Sequence, residues 1–321
     1  MPKINSQIEI IMSTFNGESY IEAQLDSIVA QTHDDWRLLI RDDGSVDATL
    51  EIISAYADRY KDRISLLQDV RGNIGPCASF GVLLESTTAD YVALCDQDDV
   101  WLPDKLESQL RCIRDIEAGS DENLPVLVHS DLRVVAEGGL VVAASFWRYQ
   151  KLQPSRMQTL PGLLVQNCVT GCATMVNRAL IKLATPMPEQ AIMHDWWLAL
   201  VAVSCGKVVA MQSVTLNYRQ HGMNQVGAKE WGWRHIRTIF DQGVESMQQS
   251  LRRTGLQAEA LLQMHVLDEE KERIVQTYVD IFHSGNSSWY RRRVTLLRGR
   301  YFKYGVLRNI AMFILIRGRS E

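Results

Sequence analysis

"YVALCDQDDVWLPDKL", residues 91–106, is the stretch on which the fold turns. Five mostly apolar residues, Tyr91 to Cys95, run straight into Asp96, Asp98 and Asp99. A short apolar run of this kind reads as a buried strand. Three carboxylates in four positions repel one another, so a compensating charge is expected at the strand's end. Asp96 and Asp98 stand at i and i+2, which directs both side chains to one side of a strand. Oxygen donors so placed suit magnesium or manganese bridging phosphates. The plainer reading is a solvated turn whose aspartates cap the helix that Pro103 opens.

The flanking sequence repeats the same alternation. Residues 7–12 (QIEIIM) read as a strand, followed by a helix with Asn16 as N-cap and Ile21, Leu25, Ile28 and Val29 on one face. Trp36 to Ile40 reads as a second strand ending in "RDDGS". A helix capped by Ser45 or Asp47 follows, with Leu50, Ile53 and Ala57 inward. Ile64 to Leu67 is a third strand, "RGNIGP" leads into a helix running to about Glu85, and Tyr91 to Cys95 is the fourth strand. Leu106, Leu110 and Ile113 share a helix face, and Val126 to His129 makes a fifth strand. Strand–helix alternation specifies an α/β fold with a mainly parallel sheet, and such sheets bind ligands beyond the carboxyl ends of their strands. Here those ends carry "STFN", "RDDGS" and "CDQDD", so polar and acidic groups gather on one edge. Residues 132–225 are less regular, and from about 228 the pattern is helical. A division into residues 1–225 and 226–321 follows.

Composition bounds the function. The chain has 321 residues, 46% hydrophobic and 22% charged, with a net charge of −4. That is a globular composition that does not advertise nucleic-acid binding. Residues 285–321 differ: nine Lys/Arg stand against Glu321 alone. The six cysteines form no CxxC pair and read as reduced core thiols of a cytoplasmic protein. No signal-peptide pattern opens the chain and no run of about 18 apolar residues occurs. P-loop, G-x-S-x-G and H-E-x-x-H patterns are absent.

Several further constellations carry chemistry, each beside a bland alternative. Asp42 and Asp43 are either an acidic turn or carboxylates accepting N–H and O–H bonds from a nucleoside. Ser13, Thr14 and Phe15 offer hydroxyls and a stacking ring. Gly72 to Gly75 permit close backbone approach to a ligand, or simply make a turn. In "HDWW", Asp195 stands between bulky groups that exclude water and raise its pKa, as a general base requires; the alternative is a helix start with an acidic cap. "YRQH" offers Arg219 as a permanent cation for a pyrophosphate and His221 as a further metal ligand, although a lone histidine is more often structural.

In order, "IIMSTFNGESYIEAQLDSIVAQTHDDWRLLIRDDGSVDAT", "NIGPCASF", "CDQDDVW", "GCATMVNRAL", "HDWW" and "YRQHG" resemble the family 2 glycosyltransferases with a GT-A fold, over residues 7–225. Within them the chain is most similar to the bacterial rhamnosyltransferase-type branch that builds surface polysaccharides such as lipopolysaccharide. The resemblance implies an inverting, metal-dependent transferase with a nucleotide-diphosphate sugar donor and manganese or magnesium as cofactor. By the same resemblance Ser13, Thr14, Phe15, Asn16 and Asp42 hold the base, with Asp43, Asn73 and Gly75 nearby. Asp96 approaches ribose or metal, Asp98 is the main metal ligand, and Asp195 is the catalytic base. Arg219 and His221 close over diphosphate and metal. Phe15 replaces the more usual tyrosine, and His194 stands where an acid is often found. The implied donor is dTDP-L-rhamnose and the acceptor a glycan or polyprenyl-linked glycan. The alternatives are a UDP- or GDP-hexose donor, or a non-catalytic nucleotide-sugar-binding protein.

The tail, "WYRRRVTLLRGRYFKYGVLRNIAMFILI", mixes basic with apolar and aromatic residues. It suits peripheral attachment at the cytoplasmic face of the inner membrane through residues 285–321; packing on the catalytic region and an oligomer interface are the alternatives.

Overall fold

The computed structural model describes residues 7–120, 123–221, 243–283 and 289–316. Nine strands form one sheet among them: β1 (Ile8–Thr14), β2 (Trp36–Asp42), β3 (Ile64–Leu66), β4 (Tyr91–Asp96), β5 (Val100–Trp101), β6 (Val126–Ala136), β7 (Val141–Ala143), β8 (Thr174–Asn177) and β9 (Lys207–Gln220). The order is β3-β2-β1-β4-β8-β6-β9-β5, with β7 paired to β6. The helices before β6 are α1 (Ile21–Val29), α2 (Thr49–Arg59), α3 (Pro76–Ser86) and α4 (Lys105–Ala118). Between β7 and β9 lie α5 (Phe146–Tyr149), α6 (Pro154–Met157), α7 (Leu160–Val165), α8 (Arg178–Ala184) and α9 (His194–Cys205). The C-terminal region contributes α10 (Gly243–Gln263), α11 (Glu269–His283), α12 (Trp289–Arg298) and α13 (Val306–Leu315). This is a mixed α/β architecture, one sheet flanked by helices.

The first half obeys the expected alternation. β1, β2, β3 and β4 are mutually parallel, and β1 is central with both faces covered. Ile8, Ile10 and Met12 pack on Ile21, Leu25 and Ile28 of α1, while Ile11 faces Phe80, Leu83 and Leu84 of α3. Each such side chain stabilises the fold by roughly 1.5–3 kcal/mol when fully buried. Beyond β4 the pattern changes. β8 runs antiparallel to both β4 and β6, and β6 is parallel to β9. The expected fifth strand, 126–129, is the opening of an eleven-residue strand, and the irregular segment 132–225 conceals the long β9.

Local expectations are corrected in four places. Asn16 does not cap α1: it takes a φ of 47°, its Oδ1 accepts from Val46 N, and Tyr20 holds the cap position. Neither Ser45 nor Asp47 is the cap of α2, which is Ala48, although Asp47 accepts from the Thr49 N–H at 3.1 Å. Leu50 is exposed rather than inward, because α2 buries only a narrow face against the sheet. Pro103 precedes α4 rather than opening it, with Asp104 at the cap.

The C-terminal helices bury their apolar residues in the same hydrophobic cluster as α3, α7 and α9. Leu261, Tyr278, Phe282, Leu296 and Tyr301 join Leu163, Trp197 and Leu200 there. The expected boundary at 225/226 lies outside the described residues. All six cysteines are free thiols. No helix of the described residues is long and apolar enough to cross a membrane.

Candidate active site

Strand register builds the site. Thr14 stands opposite Asp42, and Ser13 opposite Asp96, so β1, β2 and β4 deliver their polar C-terminal residues to one edge. A cavity of about 640 Å³ opens there. Ser13, Thr14, Phe15, Asp43, Asn73, Gly75, Asp96, Asp98 and Asp195 line it. Asn16, Asp42, Arg219 and His221 are not among its lining residues.

The two aspartates ending β2 have different surroundings. Asp42 folds onto its own turn, accepting from Gly44 N at 3.1 Å, Ser45 N at 2.8 Å, Ser45 Oγ at 2.6 Å and Thr14 Oγ1 at 2.9 Å. Asp43 is buried and accepts from the backbone N–H of Ile74 and Gly75, each at 2.8 Å. It also pairs at 2.6 Å with Arg41, which is buried too and bonded to Asp69 at 2.7 Å and to the carbonyl of Gly72 at 2.8 Å. Beside Arg41, the Asp69 carboxyl is held below its ordinary range. This network shapes the Asn73–Gly75 wall and the start of α3. Gly75 takes a φ of 78°, a backbone that side chains bearing a Cβ rarely adopt. Phe15 is 46% exposed at the rim, and its backbone is clasped by Gln97 through two hydrogen bonds of 2.8 and 3.0 Å.

The acidic run divides similarly. Asp96 is pushed up to about 7, by burial first and then by the charges of Asp98 and Asp195. Asp98 Oδ2 lies 2.7 Å from His221 Nε2. Asp99 is fully buried, held well above the ordinary carboxylate range by burial and then by Asp98 and Asp96, and accepts from Arg219 N at 3.3 Å. Buried Lys105 is the cation whose charge acts on Asp99 from within the fold. One ligand-type atom each from Asp96, Asp99 and Cys172 lies within 4.8 Å of the others. That trio differs from the expected set of Asp96, Asp98 and His221, within which Asp98 and His221 meet at 2.7 Å; carboxylate oxygens and an imidazole are donor types that a divalent cation accepts.

His221 stands in a column of rings and charge. Tyr20 stacks on it with centroids 4.4 Å apart, and the Arg219 guanidinium lies 5.3 Å from the other ring centre of the pair, Tyr20. The Tyr20 hydroxyl donates to Glu137 at 2.8 Å, tying the column to the end of β6.

Asp195 comes from the first turn of α9. Its carboxylate accepts from Gly171 N at 3.0 Å, Asn167 Nδ2 at 3.2 Å and its neighbour Trp196 N at 2.6 Å. Burial pushes it up to about 6, against the downward pull of those bonds. His194 is buried and stacked on Phe80 at 3.9 Å, and burial holds it neutral, at about 3. A Cβ on Gly171 would come within 2.7 Å of His194 Nε2, so the glycine lets the loop approach the start of α9.

Gln97, Asn167, Gly171, Arg41 and Tyr20 are parts of this arrangement that sequence reasoning did not single out. Gly171 stands inside the quoted "GCATMVNRAL" motif; Asn167 carries no local signal.

Residues 9–123 match the family model described as glycosyl transferase family 2. The putative glycosyltransferase EpsE of Bacillus subtilis is 31% identical over 54% of this chain, and the chain spans 56% of that protein's length. The dTDP-rhamnosyl transferase RfbG of Shigella flexneri is 28% identical over 68% of this chain and 74% of its own. Among solved structures, the mannosyltransferase PcManGT from Pyrobaculum calidifontis, in complex with GDP-Man and Mn2+, matches with a TM-score of 0.56 and 14% identity. That match covers 96% of this chain and 78% of the other.

Proposed function

We propose, from the match of residues 9–123 to the glycosyl transferase family 2 model, that the chain is an inverting, metal-dependent glycosyltransferase of polysaccharide biosynthesis. The donor is a nucleotide-diphosphate sugar, with dTDP-L-rhamnose favoured, and the acceptor is a glycan or lipid-linked glycan. One observation carries the reading. Asp195, a base-type carboxylate, and Asp98, which His221 contacts at 2.7 Å, both line one cavity.

In this reading Ser13, Thr14, Phe15, Asn16, Asp42 and Asp43 surround the nucleoside beside the Asn73–Gly75 wall. Asp42 and Asp43 act mainly through the loops they organise, since their oxygens are bonded to those loops. Asp96, Asp98 and His221 would hold manganese or magnesium, whose positive charge would offset the negative charge of the departing diphosphate. Arg219 adds a permanent cation to the same end, stabilising charge that grows as the glycosidic bond breaks. Asp195 takes the proton from the attacking acceptor hydroxyl. Attack and departure on opposite faces of the sugar invert the anomeric centre in one displacement. A carboxylate near 6 is ionised at neutral pH yet more basic than a solvated one, which suits the task.

The rhamnose assignment rests on the likeness to RfbG and on the sequence motifs. A donor screen tests it. Purified chain with manganese is offered dTDP-rhamnose, UDP-hexoses and GDP-mannose, and nucleotide release is followed. Preferential turnover of dTDP-rhamnose is expected. Preference for a hexose nucleotide overturns the sugar and leaves the chemistry standing, whereas no turnover of any donor with any glycan acceptor overturns the transferase reading. The proposed lipid-linked acceptor would bring the chain to the cytoplasmic face of the inner membrane through residues 285–321.

A further inference from the structure

We propose that α12, α13 and the turn between them form a docking face for an anionic lipid bilayer, with the stripe Val306, Ile310 and Ile314 entering the headgroup–acyl boundary. The inference deepens the lipid-linked-acceptor reading and rests on it for its biological role.

Three observations support it. Residues 289–316 contain seven Lys/Arg and no Asp or Glu. In α13, Val306, Ile310 and Ile314 follow at intervals of four, on one side of the helix, and are 74%, 50% and 64% exposed. The opposite side is committed to the protein, since Met312 is buried in the core cluster, as is Ile316 just beyond the helix. The orientation of α13 is therefore set by packing, and its outward stripe is apolar by sequence rather than by fraying.

The patch extends past one helix. Trp289 and Tyr290 are 66% and 68% exposed at the start of α12. The Arg293 guanidinium lies 3.7 Å from the Trp289 ring and donates to the carbonyl of Ile314 at 3.2 Å. That arginine ties the aromatic end of α12 to the end of α13. Phe302 is exposed in the connecting turn, with its ring 6.4 Å from that of Phe313. Arg291, Arg298 and Arg300 are exposed in the same segment. Aromatic rings, aliphatic stripe and arginines together match the layers of a leaflet: acyl boundary for the isoleucines, interface for the rings, anionic headgroups for the guanidinium groups.

A bilayer accounts for the chemistry better than the competing occupants. A second copy placed about a twofold axis would set these arginines against themselves, with no acid in the segment to answer them. A nucleic acid would satisfy the arginines and leave the valine and isoleucines wet.

The test uses the full chain, floated with vesicles of phosphatidylcholine alone or mixed with phosphatidylglycerol. Flotation with the anionic vesicles, weakened by salt, is expected. Ile310→Glu combined with Ile314→Glu removes apolar insertion and adds repelling charge, and should lower partitioning by about tenfold or more. Arg298→Glu with Arg300→Glu is a second pair, at exposed positions, should the first disturb folding. Both pairs should keep the wild-type melting temperature and the wild-type nucleotide release with a water-soluble acceptor. A wild-type chain left behind by anionic vesicles at low salt overturns the proposal, as does undiminished flotation of both pairs. A wild-type dimer that both pairs dissociate, with no vesicle binding, overturns it in favour of self-association. Loss of nucleotide release in the wild type alongside intact flotation would instead count against the transferase reading alone.

Discussion

Asp195 owes its chemistry to where it is held. A solvated aspartate is too weak a base to be useful; burial pushes this one up to about 6, while three donors keep it in place. Asp195→Asn keeps the size and loses the basic oxygen. Turnover should fall by about 10²–10⁴-fold, with donor binding unchanged in a calorimetric titration; turnover near the wild-type rate would refute the assignment. The sign of the pH effect follows from the upward shift. Only the ionised form accepts a proton, so the rate should level off above about pH 6 and fall with each unit below it. A pH–rate profile flat down to pH 4 would exclude Asp195 as base. Tyr20 makes a complementary case. It touches His221 by stacking and is tethered through Glu137. Tyr20→Leu removes both interactions and should weaken Mn2+ binding by about tenfold or more, read by electron paramagnetic resonance. Tyr20→Phe keeps the ring and should retain most of the affinity.

The loop from β3 to α3 and the turn around Gly171 are positioned by single residues in other elements. Asp43 at the end of β2 holds the N–H groups of Ile74 and Gly75 and neutralises buried Arg41. Asp43→Ala would strand a buried guanidinium and release two amides. A loss of about 3–5 kcal/mol of stability is expected in urea denaturation, because removing one partner of a buried pair leaves the other uncompensated. A change under about 1 kcal/mol would mean that Asp69 and the Gly72 carbonyl suffice for Arg41. Gly171→Ala would drive a methyl toward His194 and displace the N–H that holds Asp195. Turnover should drop sharply while the urea midpoint moves little, because the loop can yield where the geometry of the base cannot.

The C-terminal helices are part of one hydrophobic cluster with the sheet's outer layer. Leu261, Tyr278 and Phe282 pack in the cluster that holds Trp197 and Leu200 of the helix carrying Asp195. A chain ended at residue 225 would expose that cluster to water. It should aggregate, or lose a cooperative unfolding transition in calorimetry; a soluble, cooperatively folding product would show that residues 226–321 are an independent addition. The same integration fixes how the outward stripe of α13 is presented, since its inner side is anchored in the shared hydrophobic cluster.

The alternation of Ile8 to Met12, the apolar run from Tyr91 to Cys95 and the carboxylates that end it were legible because they are local: strand period and burial write themselves into neighbouring residues. So the parallel half of the fold, and the edge on which polar and acidic residues gather, followed from sequence by itself. The antiparallel placement of β8 and the length of β9 did not, because pairing depends on partners far apart in the chain. Nor did the fates of the aspartates. Asp42 and Asp43 look alike in "RDDGS", yet one closes a turn and the other neutralises a buried arginine. Asp195 acquires its environment from Asn167 and Gly171, and Asp98 its partner from His221, 123 residues away. A carboxylate's identity is encoded at its own position, but its charge state and its work are set by the dielectric and donors that tertiary packing brings to it.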